Sequence, residues 1–278
     1  MNSLKLTMLL LAAVTLATGL TSAKDDKTIV ADGSTTVGPI AKAFAEYYMK
    51  RHSDVTITVS ESGSGNGAKS LINAACDVAT MSRPMKLSEK KSAQDAGVLA
   101  IEHVVARDGI VLIIHPSNPV TDLTVEQVRR IYAGEIGNWK DVGGPDRQIV
   151  LISRDTNSGT YETFETMVMK GRKLTPKAEY VGSNGAIRQR VLTTPSAIGY
   201  VGLAFIEGVK AVTVNKIAAS EETVADNTYP IARPLYMYTN GRPKQGTALY
   251  DYVTLGTTSE GRKIISETGF VPLPEPKK

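Results

Sequence analysis

The chain has a single cysteine, Cys76, which excludes an internal disulfide and with it the small disulfide-held class of secreted scaffolds. Its neighbours, Ala74, Ala75 and Val78, suit a small buried residue better than a reactive thiol. Histidine is scarce: His52, His103 and His115 lie far apart, without the i, i+4 spacing of a helical zinc site, so no metal centre is expected. None of them has an evident route to Ser64 or Ser158, and no G-x-S-x-G elbow occurs, so serine-hydrolase chemistry is disfavoured. Charge of one sign is lacking too. Thirty-two Lys and Arg against 28 Asp and Glu leave +4, scattered along the chain. The pairs Lys90-Lys91 and Arg129-Arg130 are short enough to be solvated faces. With four Phe and one Trp there is no basic stripe interleaved with aromatics, and nucleic-acid binding is not expected. Beyond residue 23 no apolar run approaches the ~18 residues of a membrane span.

What is present begins with a leader. Lys5 supplies a positive start, residues 6–20 an apolar stretch, and Thr21-Ser22-Ala23 a small-residue cleavage site, so residues 1–23 read as a signal peptide. No Cys ends it, so a lipid anchor is not indicated. An exported chain without disulfides fits a bacterial periplasm. The 278 residues suffice for one large or two modest domains with real cores.

Strand-like and helix-like segments then alternate, which points to α/β architecture. Thr28-Ile29-Val30-Ala31 reads as a strand, followed by the turn 32–39 and a helix with Ile40, Ala41, Phe44, Ala45 and Tyr48 on one face. A second strand, 55–59, ends at Glu61-Ser62-Gly63-Ser64-Gly65-Asn66-Gly67. A third, 76–80, leads into Met81-Ser82-Arg83-Pro84. Residues 110–114 form a long apolar strand, and Thr124 with Gln127 has the spacing of a capping box. Residues 197–201 read as a later strand, and 229–238 as a strand returning to the first half.

The stretch 150–169 organises the rest. An apolar run at 149–152 reads as a buried strand, and Tyr161, Phe164 and Val168 mark a helix. Between them, Arg154, Asp155, Asn157, Ser158, Gly159 and Thr160 bring a guanidinium, hydroxyls and free helix N–H groups into one loop, a combination suited to an oxyanion. Asp155 either orients Arg154 or is an ordinary turn residue. Arg83 is either a helix-entry residue or a ligand contact. Four turns, 32–38, 61–67, 80–83 and 153–160, place hydroxyls and glycines after candidate strands, where ligands bind in such sheets. Gly63-Ser64-Gly65-Asn66-Gly67-Ala68 fits a dinucleotide fingerprint, but its following helix is short and polar at its start, and exported proteins have little access to NAD.

These segments, Asp32-Gly33-Ser34-Thr35-Thr36-Val37-Gly38-Pro39, Glu61-Ser62-Gly63-Ser64-Gly65, Met81-Ser82-Arg83 and Ser153-Arg154-Asp155-Thr156-Asn157-Ser158-Gly159-Thr160, together resemble the periplasmic phosphate-binding proteins of bacterial phosphate ABC transporters. Ser117-Asn118-Pro119-Val120, Gly137-Asn138-Trp139, Ala197-Ile198-Gly199-Tyr200-Val201 and Gly269-Phe270-Val271-Pro272-Leu273 extend the likeness across the mature chain. The resemblance implies a type II periplasmic binding protein fold, two α/β lobes joined by two crossing hinge strands: residues 24–107 with 233–278, and residues 108–232. It implies phosphate contacts at Ser34, Thr35, Thr36, Ser64, Gly65, Arg154, Asp155, Ser158, Gly159 and Thr160, with Ser82 and Arg83 at the third loop. The partners implied are inorganic phosphate and an inner-membrane ABC permease, and the chain is expected to act as a monomer without cofactor, metal or enzymatic turnover. Where some relatives carry an Asp that accepts the phosphate proton, this chain has Arg83 after Ser82, leaving Asp155, Glu61 or a backbone carbonyl as the acceptor. The alternatives are a binding protein for another oxyanion, or an exported phosphatase or phosphatase inhibitor on the same fold.

Overall fold

The computed structural model describes residues 27–275; the signal-peptide reading of residues 1–23 lies outside them. The chain opens with β1 (Thr28–Gly33), α1 (Gly38–Met49), β2 (Thr56–Ser60), α2 (Ser64–Ile72), β3 (Val78–Met81) and α3 (Leu87–Asp95). It continues through β4 (Ala100–Ile114), β5 (Asp122–Leu123), α4 (Val125–Tyr132), β6 (Val150–Arg154), α5 (Gly159–Phe164), β7 (Glu179–Val181), α6 (Asn184–Leu192), β8 (Ala197–Gly202), β9 (Lys210–Val214) and α7 (Glu221–Ala225). It closes with β10 (Ala232–Asn240), α8 (Ala248–Thr254) and α9 (Ser259–Glu267).

Local chemistry accounts for the helices. Pro39 sits in the first turn of α1, where its missing N–H costs nothing, and the 3.6-residue period buries Ile40, Ala41, Phe44, Ala45 and Tyr48. The expected capping box at α4 forms: Thr124 Oγ1 accepts from Gln127 N–H, and the Gln127 side chain accepts from Thr124 N–H at 2.8 Å. Helix α2 begins at Ser64, four residues ahead of the apolar residues that mark it in sequence.

The strand order is β2-β1-β3-β10-β4-β8-β6-β7, with β9 against β4 and β5. Strand β4 is the spine. The sequence marks only its apolar end, 110–114, yet it runs 15 residues, long enough at about 3.4 Å each to pass through both halves of the molecule. Its first ten residues pair antiparallel with β10; its last five pair with β8 on one edge, while β9 takes over the edge that β10 leaves. Its half-exposed start does not read as a core strand because the adjacent Glu102 and His103 interrupt its apolar residues.

Apolar cores lie to either side of this crossing, two of them the largest. One packs Ile40, Phe44, Tyr252 and Phe270 against Val105, Leu235 and Met237. The other packs Tyr132, Trp139, Phe164 and Tyr200 against Ile110, Leu112 and Ile114. Each fully buried Phe or Leu there contributes about 2 kcal/mol. Trp139 has its Nε1 satisfied by the Ser196 carbonyl at 2.8 Å, which makes its burial tolerable. The crossing carries a third strand segment that the sequence does not advertise. Arg107 and Val271 exchange both backbone hydrogen bonds, at 2.8 and 3.1 Å, and Val271 packs into the second core although its neighbour Phe270 belongs to the first.

Candidate anion site between the two halves

The loops expected to converge do converge, each at the carboxyl end of a parallel strand. After β1 the chain turns at Gly33 (φ +136°), where a Cβ would lie 2.2 Å from the Thr80 carbonyl oxygen. This close approach delivers Ser34, Thr35 and Thr36, all buried. Ser34 Oγ accepts from the N–H groups of Thr36 and Val37, at 3.1 and 3.3 Å. After β2, Gly63 (φ +101°) admits Ser64 to the first turn of α2; after β3 comes Ser82, whose N–H donates to Ser64 Oγ at 3.1 Å.

From the other half, β6 ends at Arg154, and Ser158 caps α5 by accepting from Tyr161 N–H at 3.3 Å. Gly159 and Thr160 then form the first turn, whose N–H groups have no intrahelical acceptor. The halves meet here through several hydrogen bonds. Arg154 Nη2 donates to Thr35 Oγ1 at 3.1 Å and to the Gly182 carbonyl at 2.9 Å. The hydroxyls of Thr36 and Thr160 lie 3.0 Å apart, and Gly65 N–H donates to the Asn157 carbonyl at 2.9 Å. The cleft is therefore closed.

Arg154 is 1% exposed, and its Nε and Nη1 are buried without a hydrogen-bond partner. Burial pulls its pKa down to about 10, opposed by nearby Asp155, so it remains a cation at neutral pH. A buried guanidinium with two open donors is costly unless an anion completes it. Asp155 is less central than expected: its side chain is 36% exposed, its Oδ1 accepts from Asn157 N–H, and its Oδ2 is 3.9 Å from Arg154 Nη2. Glu61 is turned away, paired with Lys42 at 2.9 Å.

Arg83 is placed differently from the expected anion contact. Glu89 grips its Nη1 and Nη2 at 2.7 Å each, Glu162 lies 2.8 Å from its Nε, and the Pro84 carbonyl takes Nη1 at 3.0 Å. Burial alone would lower its pKa, but the two carboxylates outweigh that and hold it above the ordinary value. Because Glu162 belongs to α5 and also pairs with Lys86 at 2.9 Å, the group fastens the two halves together. A hollow of about 560 Å³ beside this group, lined by Met85, Leu87, Met167 and Pro234 among others, holds none of the site hydroxyls and does not suit a small dianion.

Three site residues escape a reading of the sequence. Asn184 starts α6; its Oδ1 accepts from Gly202 N–H at 3.2 Å, which turns Nδ2 toward Thr36 Oγ1 at 3.0 Å and Thr35 Oγ1 at 3.4 Å. Arg233 and Asp108 face each other on β10 and β4, both buried, with Nη2 2.7 Å from Asp108 Oδ2. Arg233 also donates to Thr160 Oγ1 at 2.9 Å and to the Ser82 carbonyl at 3.0 Å, joining the crossing strands to a loop of each half. A charged residue inside the apolar run of β10 was the available signal.

Gly159 has no room for a side chain: a Cβ would meet Ser64 Oγ at 2.5 Å and Ser82 Oγ at 2.7 Å. Gly159→Ala is expected to strain the closed cleft by about 1–3 kcal/mol, a loss of roughly 5- to 150-fold in anion affinity. Calorimetric titration beside thermal unfolding checks this; unchanged affinity would show that closure does not bring Gly159 against these serines.

Two halves meeting over a ligand cleft, joined by strands that cross between them, define a chain of the periplasmic binding protein class, and a family model described as a PBP superfamily domain matches residues 18–256. The phosphate-binding protein PstS of Staphylococcus saprophyticus is 34% identical over 267 residues, covering 91% of this chain and 83% of its own. That of Borreliella burgdorferi is 32% identical, covering 89% and 90%. The chain belongs to the PstS family of phosphate-binding proteins. Among solved structures, a Clostridium perfringens protein with bound phosphate has a TM-score of 0.81 at 33% identity, over 89% of this chain and all of the other. An ABC-type phosphate transport receptor from Vibrio cholerae has a TM-score of 0.73 at 29% identity, over 88% of this chain and all of the other.

Proposed function

We propose that this chain captures inorganic phosphate between two lobes and delivers it to an ABC permease. The observation that carries the reading is Arg154, buried with Nε and Nη1 open in a cleft of hydroxyls. The ligand contacts are Arg154 with Ser34, Thr35, Thr36, Ser64, Ser158 and Thr160, and the backbone at Gly159; Gly65, expected as a contact, instead gives its N–H to the Asn157 carbonyl. Ser82 and Asp155 position Ser64 and Arg154, and Arg83 acts in closure. The lobes are residues 24–107 with 233–278, and residues 108–232; the core clusters, which apart from Val271 fall to one side or the other, support this division. Closure supplies the form that a permease distinguishes from the open one. The chain works as an exported periplasmic monomer and turns nothing over. Among the described residues no group of three or more His, Cys, Asp or Glu could hold a metal ion, and no helix is long and apolar enough to cross a membrane.

Calorimetric titration of protein stripped of bound anion tests the reading. Saturable phosphate binding with a matching rise in unfolding temperature is expected, since a ligand that binds only the folded state stabilises it. Absence of binding, or turnover of a phosphate ester, would overturn it.

A further inference from the structure

We infer that Glu162 is a positioning residue of the closed form: by closing on Arg83 and Lys86 of the opposite half, it sets how long the cleft holds its anion and not how fast the anion is captured. The inference rests on the phosphate reading of the cleft and concerns the step of release.

Helix α5 carries both the anion loop and this contact. Its first residue, Gly159, lies against the serines of the other half and beside the stem of Arg83, where a Cβ would meet Arg83 Cγ at 3.1 Å. Three residues on, Glu162 Oε2 lies 2.8 Å from Arg83 Nε and 2.9 Å from Lys86 Nζ. Thr163 Oγ1 donates to the Ser82 carbonyl at 3.4 Å. Helix α5 therefore runs along residues 82–86 with the anion loop at its start and the ion pair on its flank. The donors of Arg83 go to Glu89, Glu162 and the Pro84 carbonyl, so this contact between the halves forms beside the anion and not through it.

The two carboxylates on Arg83 are committed differently. Glu89 belongs to the same half: it takes Nη1 and Nη2 at 2.7 Å each and also accepts from Lys86 N–H at 2.8 Å, which ties it to the start of α3. Glu162 comes from across the cleft. When the halves part, the buried Arg83 keeps a full counter-charge in Glu89. The Glu162 and Lys86 side chains, already 15% and 50% exposed, pass to water. Breaking a buried pair is costly because it strands one charge; here no charge is stranded. Asp108 and Arg233, which have no such spare partner, stay joined on the crossing strands. The Glu162 contact is thus built to open and close repeatedly.

The consequence is a division between rates. An anion enters the open cleft, in which Glu162 stands away from Arg83, so capture does not feel the pair. Release requires the halves to part, so it must break both contacts of Glu162. A partly buried charge-assisted pair of this kind supports about a 5- to 50-fold difference in that rate.

The test takes Kd from calorimetric titration and release from radiolabelled phosphate chased with an excess of unlabelled phosphate; association follows from the two. Glu162→Gln is expected to release phosphate about 5- to 50-fold faster, with association within about threefold of wild type. Lys86→Met, at an exposed position, should speed release by less, and should add nothing in the Glu162→Gln background because its partner is gone. Glu165→Gln is the control for charge: that carboxylate accepts from Tyr161 of its own half at 2.8 Å, and its loss should leave both rates as they were. Sodium chloride should narrow the gap in release between wild type and Glu162→Gln, because the half-exposed pair is screened. Unchanged release in Glu162→Gln, equal acceleration in Glu165→Gln, or a loss of affinity carried by slower association would overturn the inference and leave the phosphate reading standing. Absence of phosphate binding by the wild type would remove both.

Discussion

Arg154→Ala is expected to abolish phosphate binding at any concentration that wild type requires. Two open guanidinium donors facing a dianion make charge-assisted hydrogen bonds worth about 1.5–3 kcal/mol each. Their loss corresponds to roughly 10²–10⁴ in Kd. The same substitution should leave the empty protein as stable as before or more so, because it removes a buried cation with two unpartnered nitrogens. Binding and stability therefore move in opposite directions, which separates a ligand contact from a structural arginine. Arg154→Lys keeps the charge but not the planar set of donors, and should recover only part of the affinity. The pH dependence follows with its sign. Burial depresses the Arg154 pKa to about 10, so in the empty protein the proton is lost as pH rises through that value. Bound phosphate holds the proton on, so affinity falls above about pH 10. Titration calorimetry of both variants and across that range is the measurement. An Arg154→Ala protein that still binds phosphate within tenfold of wild type would remove Arg154 from the site.

How far the sequence announced this site depends on which physical rule each residue obeys. The loops that carry Ser34, Thr35, Thr36, Ser64, Ser158 and Thr160 were legible because they follow apolar strands and carry glycine and hydroxyls, and ligands of α/β sheets lie beyond strand carboxyl ends; the individual contacts in the first two loops were expected only from the family resemblance. Residue type also found Arg83, but type does not reveal pairing. Glu89 lies six residues on and Glu162 comes from the other half, so the fold alone turned an apparent anion contact into a fastening. The Asp108–Arg233 pair is 125 residues apart in the chain, and only the antiparallel register of β4 and β10 sets the two opposite each other. The first part of β4 hid for a related reason. Paired by β10 on one edge and half exposed, it lacks the unbroken apolar run by which its last five residues declare themselves.

That pair sits where both halves, the crossing strands and the site meet, and removing its carboxylate should have the largest effect on folding. Asp108→Ala leaves the Arg233 guanidinium, 3% exposed, without a counter-charge and deprives Leu203 N–H of its acceptor. Burial already pulls the Arg233 pKa below its ordinary value, and Asp108 is the main group opposing that. Breaking a buried pair from one side costs about 3–5 kcal/mol, a large share of the 5–15 kcal/mol that separates folded from unfolded chains. Replacing both partners, Asp108→Leu with Arg233→Met, should restore much of that stability, since a desolvated ion pair gains little over apolar residues of similar size. It should not restore phosphate affinity, because Thr160 Oγ1 and the Ser82 carbonyl still lose the donor that fixes them. Urea unfolding of the empty proteins, followed by Trp139 fluorescence, measures the first effect and phosphate titration the second. Wild-type stability in Asp108→Ala would show that Arg233 finds other compensation at the crossing. Full affinity in the double variant would show that the pair holds the lobes together without ordering the hydroxyls that meet the anion.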